Sequence, residues 1–486
     1  MNTTIKHAII LLLGIAAASC APQDSNDILQ PPSPDERRGT LVLAGGGSEQ
    51  DRNGDSWSDR LYRHIIDASP DRRVLILSAE PENEWLPAYF RRLGAESAEN
   101  LFIGNRRVAD LAETAVRINK VGAVFIKGGD QSVYMANWEN TRTMDALKAL
   151  YHRGGVLAGT SAGAALLGGV VFTASLGTLY PEDALTDAGH PKMDLKPGFL
   201  DAFPSLLVDT HFTQRGRLPR LAVMLANWHS NHGEKDIIGL GLDDQTGVVL
   251  NADGRATVIG AGSVSFVRLG AAATLRMESG RPPAVTPLIL DQLTDGFVYA
   301  LKEARVMTVP ADARRVVPDL NRPGPESYPL RLRGDLLGDS SAGEVQLPAD
   351  PDPASLYQGC LELETGRDLL PAAMVTTALY QDLDQIENRM GGTLLALYEH
   401  PGRFGLLLTA RTRIDISAQG LIRAVEANGR ASLLVVDSAG VERVAHSQYI
   451  SIPEVSMLPR RSVALQGARI HILYGGITWN YQASPP

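Results

Sequence analysis

The apolar segment Gly155-Val156-Leu157-Ala158 runs directly into Gly159-Thr160-Ser161-Ala162-Gly163-Ala164. This is a G-x-S-x-G pattern between a strand and a small-residue helix, the layout of a nucleophile elbow. It narrows the fold to architectures in which a strand turns sharply into a helix. A serine at such an apex takes a strained backbone conformation that only small neighbours tolerate, so Gly159 and Gly163 leave it room. The helix that follows, Ala164-Ala165-Leu166-Leu167, aims free backbone N–H groups at the place where an oxyanion would form. A tight turn without chemistry satisfies the same pattern, so further residues must decide.

Segments before and after the elbow agree with an α/β fold. Thr40-Leu41-Val42-Leu43-Ala44 leads to Gly45-Gly46-Gly47, Arg73 to Ser78 reads as a second strand, and Ala123 to Ile126 ends near Gly128-Gly129. Between them, Ser58 to Asp67, Trp85 to Leu93 and Asp110 to Asn119 show helical spacing of apolar residues. Strands separated by helices need crossover connections, which predicts a doubly wound, mostly parallel sheet. Sites in such sheets lie beyond the carboxyl ends of the strands, where both glycine turns and Ser161 fall. The triple glycine does not match G-x-G-x-x-G, which rejects a dinucleotide site.

The hydrolase-like region is expected over 39–308. Prolines 310, 318, 323, 325, 329, 348, 351 and 353 then break the chain. Strand-like runs at 405–409, 431–436, 441–446 and 468–474, with a helix at 381–390, predict a mainly β accessory domain at 315–486. Within 486 residues of 44% hydrophobic content there is ample material for two or three domains.

A net charge of −9, no basic stretch and 6% aromatic residues exclude a nucleic-acid partner. Lys6 and His7 precede the apolar run Ala8–Ala18, which ends in Ala16-Ala17-Ala18-Ser19-Cys20. Residues 1–19 therefore read as a signal peptide, and 20–38, rich in Pro, Asp, Ser and Gln, as a tether. The small residues before Cys20 resemble a bacterial lipoprotein signal, which would acylate Cys20 and hold the protein at the membrane of the cell envelope. Ordinary signal-peptidase cleavage is the alternative, and either route takes the chain out of the cytoplasm. With Cys20 acylated, Cys360 is the only other cysteine, so no intramolecular disulfide is expected.

A serine nucleophile needs a base, and the base an orienting acid. His211 is the base candidate, delivered by the strand-like Leu206-Leu207-Val208 within Asp209-Thr210-His211-Phe212. Arg215, Arg217 and Arg220 follow closely, and guanidinium groups grip carboxylates bidentately; a solvated helix start is the competing reading. For the acid, Asp244 at the end of Gly239-Leu240-Gly241-Leu242-Asp243-Asp244 comes first, with Glu182 and Asp183 as rivals. His229, His232 and Glu234 lack an evident further ligand and read as a polar helix end, so no metal or other cofactor is expected.

Taken in order, Gly128-Gly129-Asp130-Gln131, the Ser161 elbow, Asp209-Thr210-His211-Phe212 with Arg215 and Arg217, and Gly239 to Asp244 resemble the cyanophycinase-like serine peptidases, the family that includes peptidase E. The resemblance spans roughly residues 39–270. It implies a class I glutamine amidotransferase-like fold and a Ser-His-acid centre, with Ser161 as nucleophile and His211 as base. It further implies an oxyanion hole from the N–H groups of Gly129 and Ala162, and substrate held by Gln131, Asp209, Arg215 and Arg217. The substrate class implied is a peptide or cyanophycin-like polymer cut next to acidic residues. The chain carries Thr210 where cyanophycinases carry glutamine, and Asp244 where their acid is glutamate, which keeps Glu182 open. The departures also leave open a binding or scaffold protein that retains the fold without activity. An α/β-hydrolase esterase is disfavoured, because only 50 positions separate Ser161 from His211 and the lipase oxyanion segment is absent. The oligomeric state is not legible.

Overall fold

In a computed structural model of the chain, the residues described are 39–311 apart from 48, 50–55, 82, 199 and 201. Beyond these they are 313–316, 327–330, 362–365, 373–376, 379–380, 390–399, 403–409, 413–417, 420–425, 432–438, 441–449 and 459–481. The signal and tether expectations, Cys20, Cys360 and nearly all of the helix expected at 381–390 lie outside the described residues. A described helix, Met390–Glu399, begins where that expectation ends.

Apolar runs with little polar alternation form the centre of the first sheet: β1 (Thr40–Ala44), β2 (Arg73–Ser78), β3 (Ser97–Phe102), β4 (Ala123–Ile126) and β5 (Val156–Thr160). All residues of β4 and β5 are buried, as expected of parallel strands covered on both faces. Because side chains alternate across a strand, Leu41 and Leu43 of β1 enter one buried cluster and Val42 and Ala44 another. The helices α1 (Trp57–Ala68) and α2 (Trp85–Arg92) pack on the second face. On the first face the chain builds α3 (Arg106–Ala109), α4 (Ala112–Asn119), α5 (Gln131–Trp138) and α6 (Arg142–His152). Trp138, Leu147 and Tyr151 of α5 and α6 are wholly buried there.

After β5 come α7 (Ala162–Ala165), β6 (Val170–Phe172), α8 (Pro181–Thr186), β7 (Leu195–Pro197), β8 (Leu206–Asp209) and α9 (Leu218–His232). The strands β9 (Ile238–Leu242), β10 (Thr246–Leu250), β11 (Arg255–Gly260), β12 (Val264–Arg276), β13 (Ala284–Leu293), β14 (Val298–Ala300) and β15 (Arg305–Thr308) follow without helices.

The first sheet has the order β15-β14-β11-β10-β1-β5-β4-β2-β3. From β1 to β3 its neighbours are parallel, whereas β1–β10, β10–β11, β11–β14 and β14–β15 are antiparallel. The expectation of one mostly parallel sheet is therefore corrected to a mixed one. Past α9 the connections are a few residues long, and a short turn cannot make the crossover that parallel pairing needs.

A second sheet holds β8, which pairs in parallel with β9, followed by β12 and β13 in antiparallel register. The strand Pro459–Leu473 adds itself antiparallel to β13 and pairs with Leu433–Asp437 on its other side. The C-terminal strands thus extend a sheet that also carries β8 and β9, covering an edge that would otherwise stay open. Among the described residues no helix is long and apolar enough to cross a membrane.

Candidate active site

Ser161 sits at the tip of β5 with φ 52° and ψ −122°, a strained conformation for a non-glycine residue. Its N–H donates to the Ala44 carbonyl at 3.0 Å, which locks the elbow to the end of β1. The flanking glycines are obligatory for packing. A Cβ on Gly159 would lie 2.4 Å from the Gly163 carbonyl carbon, and one on Gly163 would lie 2.2 Å from the Ile126 oxygen.

His211 leaves β8 with φ 47° and donates its N–H to the Gly45 carbonyl at 3.0 Å. Its Nε2 is 2.7 Å from Ser161 Oγ, and its Nδ1 is 2.5 Å from Asp244 Oδ1. An ionised carboxylate only accepts, so Nδ1 carries the proton and Nε2 is left to accept from the serine hydroxyl. Ser161, His211 and Asp244 therefore stand in one line of hydrogen bonds. Glu182, the rival acid, stands on α8, and the position facing Nδ1 is taken by Asp244.

The histidine loop and the acid loop are tied to each other three times. Phe212 N–H donates to the Leu242 carbonyl at 3.1 Å, Thr213 N–H to Asp243 Oδ1 at 2.9 Å, and Asp244 N–H to Gln214 Oε1 at 3.0 Å. Asp243 is fully buried and also accepts from the Ser263 N–H and hydroxyl, at 3.0 and 2.7 Å. Burial raises its pKa, with those donors opposing the shift. Sequence reasoning treated Asp243 only as a neighbour of Asp244 and missed Gln214. The paired acids at a strand end were the available signal for the first; nothing local marks the second.

Burial depresses the His211 pKa below the ordinary histidine value. The hydrogen bond and charge of Asp244 pull it up, while Arg215 and Arg217 push it further down. The imidazole is thus kept neutral, the form able to take a proton.

Ser161 and His211 open on a cavity of about 340 Å³ that Gly129, Gln131, Ala162 and Arg215 also line. Gly129 has φ 141°, a region open to glycine. Ala162 is the first residue of α7, so its N–H has no partner within that helix. Both face the same space as the serine. Gln131 opens α5 and its side-chain amide donates to the Phe172 carbonyl across the cavity. Arg215 is half-buried and forms no ion pair among the described residues.

Asp209 departs from its expected role. It is only 4% exposed, and its carboxylate is taken by two arginines rather than turned to the cavity. Arg220 donates to both of its oxygens, Nε at 2.8 Å and Nη2 at 2.5 Å, and Arg217 Nη1 donates at 3.2 Å. Burial would raise the Asp209 pKa, but Arg220 and Arg217 outweigh it and hold the carboxyl below its usual range. Removing this acid would leave two buried guanidinium groups facing each other, which costs about 3–5 kcal/mol. Arg217 and Arg220 thus line the cavity with guanidinium groups engaged by Asp209, whereas Arg215 lines it without an ion pair among the described residues.

His229 and His232 end α9. Each ring donates its Nδ1–H to a backbone carbonyl, at Glu234 and Trp228 respectively, and His232 stacks on Trp228 at 3.7 Å.

Residues 83–258 match the family model described as Peptidase family S51. The chain is 30% identical over 257 residues to the cyanophycinase of Geminocystis herdmanii, covering 52% of this chain and 88% of the relative. The chain belongs to peptidase family S51. Within this family it is also 32% identical over 234 residues to the cyanophycinase of a Nostoc species, covering 47% and 73% of the two chains. The match to the Synechococcus elongatus cyanophycinase, 32% over 221 residues, spans 45% of this chain and 64% of the relative's length. A solved peptidase from an acI-B1 Actinobacterium aligns over 55% of this chain and 98% of its own, at 19% identity and a TM-score of 0.37. Ser161, His211 and Asp244 all fall inside the segment that matches the S51 family model.

Proposed function

We propose that the protein is a serine-type peptidase that cleaves amide bonds next to acidic residues, in a peptide or a cyanophycin-like polymer. The carrying observation is the continuous relay from Ser161 Oγ through His211 to Asp244, at 2.7 and 2.5 Å. Ser161 Oγ attacks the scissile carbonyl carbon while His211 Nε2 takes the hydroxyl proton. The tetrahedral oxyanion is received by the N–H groups of Gly129 and Ala162, each donor contributing about 10²–10³ in rate. His211 then gives the proton to the leaving amine, and an acyl-enzyme remains. Water, deprotonated by the same imidazole, releases the acid and restores the serine. Asp244 keeps the histidine in the tautomer this needs.

Arg215 supports the acidic preference. A cation lining the cavity without a counter-ion among the described residues is suited to a substrate carboxylate. The polymer is one source of such a group and a free aspartyl peptide another; the family relationship to cyanophycinases supports both. The Asp244 side chain reaches His211 despite being shorter than the glutamate of cyanophycinases, which removes one motive for an inactive scaffold.

The test is labelling with a fluorophosphonate probe, followed by product analysis with cyanophycin and a set of α- and β-aspartyl peptides. Labelling and turnover that vanish in both Ser161→Ala and His211→Ala support the peptidase; full turnover in Ser161→Ala ends it. The N-terminal sequence carries a separate proposal, lipid anchoring through Cys20 at the cell envelope. It is checked by fatty-acid labelling of the expressed chain and of Cys20→Ser.

A further inference from the structure

The loop that carries the site's arginines is held from a distant part of the chain. Tyr380 lies well outside the segment matching the S51 family model, yet its hydroxyl donates to the Gly216 carbonyl at 2.7 Å across 164 positions of sequence. Gly216 stands between Arg215 and Arg217 and has φ 54°, the left-handed region. A glycine next to a cavity-lining side chain is where a loop would otherwise swing most freely, because glycine has the widest backbone choice. The carbonyl that Tyr380 binds belongs to the peptide unit joining Gly216 to Arg217. The peptide unit on the other side, joining Arg215 to Gly216, is held by the Gly216 N–H donating to the Thr213 carbonyl at 3.1 Å, so the two bonds together fix both planes flanking Gly216 and the directions in which the arginines leave the loop.

Tyr380 is itself well fixed. It is buried, as is Leu379, in one apolar cluster with Phe212, Leu218 and Leu221 of the site's own framework. Leu379 N–H donates to the Leu408 carbonyl at 3.1 Å, and Leu408 N–H to the Thr376 carbonyl at 2.8 Å, which joins the tyrosine to the C-terminal strands. Burial keeps the phenol protonated far above neutral pH, so the hydroxyl stays available as a donor. Within the loop, Arg215 N–H donates to the His211 carbonyl at 3.1 Å and Arg217 N–H to the Phe212 carbonyl at 2.9 Å. These bonds close the turn on the histidine side. Among the described residues, the Tyr380 bond is the one that reaches Gly216 from outside the loop.

We propose that Tyr380 is a positioning residue for substrate selection, aiming Arg215 at the substrate carboxylate by clamping the Gly216 carbonyl. The inference rests on the peptidase reading and gives the C-terminal strands a part in it: they carry a strut for the specificity loop. It deepens that reading without adding a catalytic group, since Tyr380 does not line the cavity.

The experiment uses the full chain and Tyr380→Phe, which keeps the ring and deletes only the donor. Ser161 is labelled with a fluorophosphonate probe while an aspartyl dipeptide, or its asparaginyl counterpart, protects it. Tyr380→Phe is expected to raise the half-protecting concentration of the aspartyl peptide about five- to tenfold, the size of one lost hydrogen bond. The asparaginyl value and the rate of labelling without peptide are expected to stay as in wild type. In an Arg215→Ala background the same substitution is expected to have no further effect. Equal loss for both peptides, no loss for either, or full additivity with Arg215→Ala overturns the inference. Wild-type protein that the probe does not label at all would instead sink the serine reading on which it rests, so the two failures are told apart.

Discussion

Gly46 and His211 are in contact so close that a single methyl group does not fit between them: a Cβ on Gly46 would lie 2.3 Å from the imidazole Cε1. Gly46 also has φ 122°, outside the range of ordinary L-residues. The middle glycine of the triple-glycine turn is thus the wall against which the His211 imidazole rests. Gly46→Ala is expected to push the imidazole away from Ser161. A displacement of about 1 Å in a reacting group costs on the order of 100-fold in rate. Probe labelling should fall by that order while the protein stays folded, with a melting temperature lowered by the strained φ. Labelling at the wild-type rate would show that the ring does not need this wall.

Asp244 and Glu182 predict opposite outcomes. Asp244→Asn keeps the shape but offers an amide to His211 Nδ1, which allows the ring to take the wrong tautomer. In triads of this kind the loss is about 10⁴-fold in kcat. Glu182→Gln, on α8, is expected to stay within about threefold of wild type, as a substitution away from the relay does. Measuring kcat for both on one aspartyl substrate settles the acid: a large loss in Glu182→Gln with a small one in Asp244→Asn would reverse the assignment.

The pH profile follows from the sign of the His211 shift. The imidazole must be neutral to act as base, and burial, assisted by Arg215 and Arg217, places its pKa below the ordinary value of about 6.5. Activity should therefore persist as pH falls through 6.5 and decline only at lower pH. Arg215→Ala removes a cation that disfavours the imidazolium, so the pKa rises and the acidic limb of kcat/KM moves to higher pH. Asp244→Asn removes a stabiliser of the imidazolium and moves its residual limb the other way. An acidic limb that stays in place in Arg215→Ala would contradict the electrostatic account.

Much of this site is legible in the chain because its parts sit at strand ends marked by short motifs. Gly159 to Gly163 specify the elbow through steric need alone, and the apolar run before Asp209 marks the strand that delivers His211. The ends of β2 and β4 were readable to the residue, since a buried parallel strand is a block of apolar residues between turns. What could not be read lies in long-range pairing. Whether β10 joins β1 antiparallel depends on edge partners that no local pattern names. The family resemblance implies a substrate-holding role for Asp209; only the fold brings Arg217 and Arg220 onto it. Tyr380, 164 positions from Gly216, carries no local signature at all.

His471 makes the stability of the C-terminal strand pairing depend on pH. It lies on the strand Pro459–Leu473, with Nδ1 2.7 Å from Thr286 Oγ1 and Nε2 buried without a hydrogen-bond partner among the described residues. Burial, helped by the charge of Arg469, lowers its pKa to about 4. In the unfolded chain the same ring titrates near 6.5. Between these values the unfolded state binds the extra proton, so stability is fully present above about pH 6.5 and is lost as pH falls toward 4. The slope is at most about 1.4 kcal/mol per pH unit for one group. Asp209, whose folded pKa is depressed, acts in a lower window: its contribution is present above about pH 3.9 and fades below it. Asp243 and Asp291 have raised pKa values because of burial, so they favour the folded state as pH falls and oppose His471 in part of its range. The decisive quantity is accordingly a difference between two proteins. Urea unfolding of wild type and His471→Gln, from pH 7 to 4, should show wild type losing stability more steeply than the variant between about 6.5 and 4. Parallel curves across that interval would mean that the folded protein protonates this ring without cost.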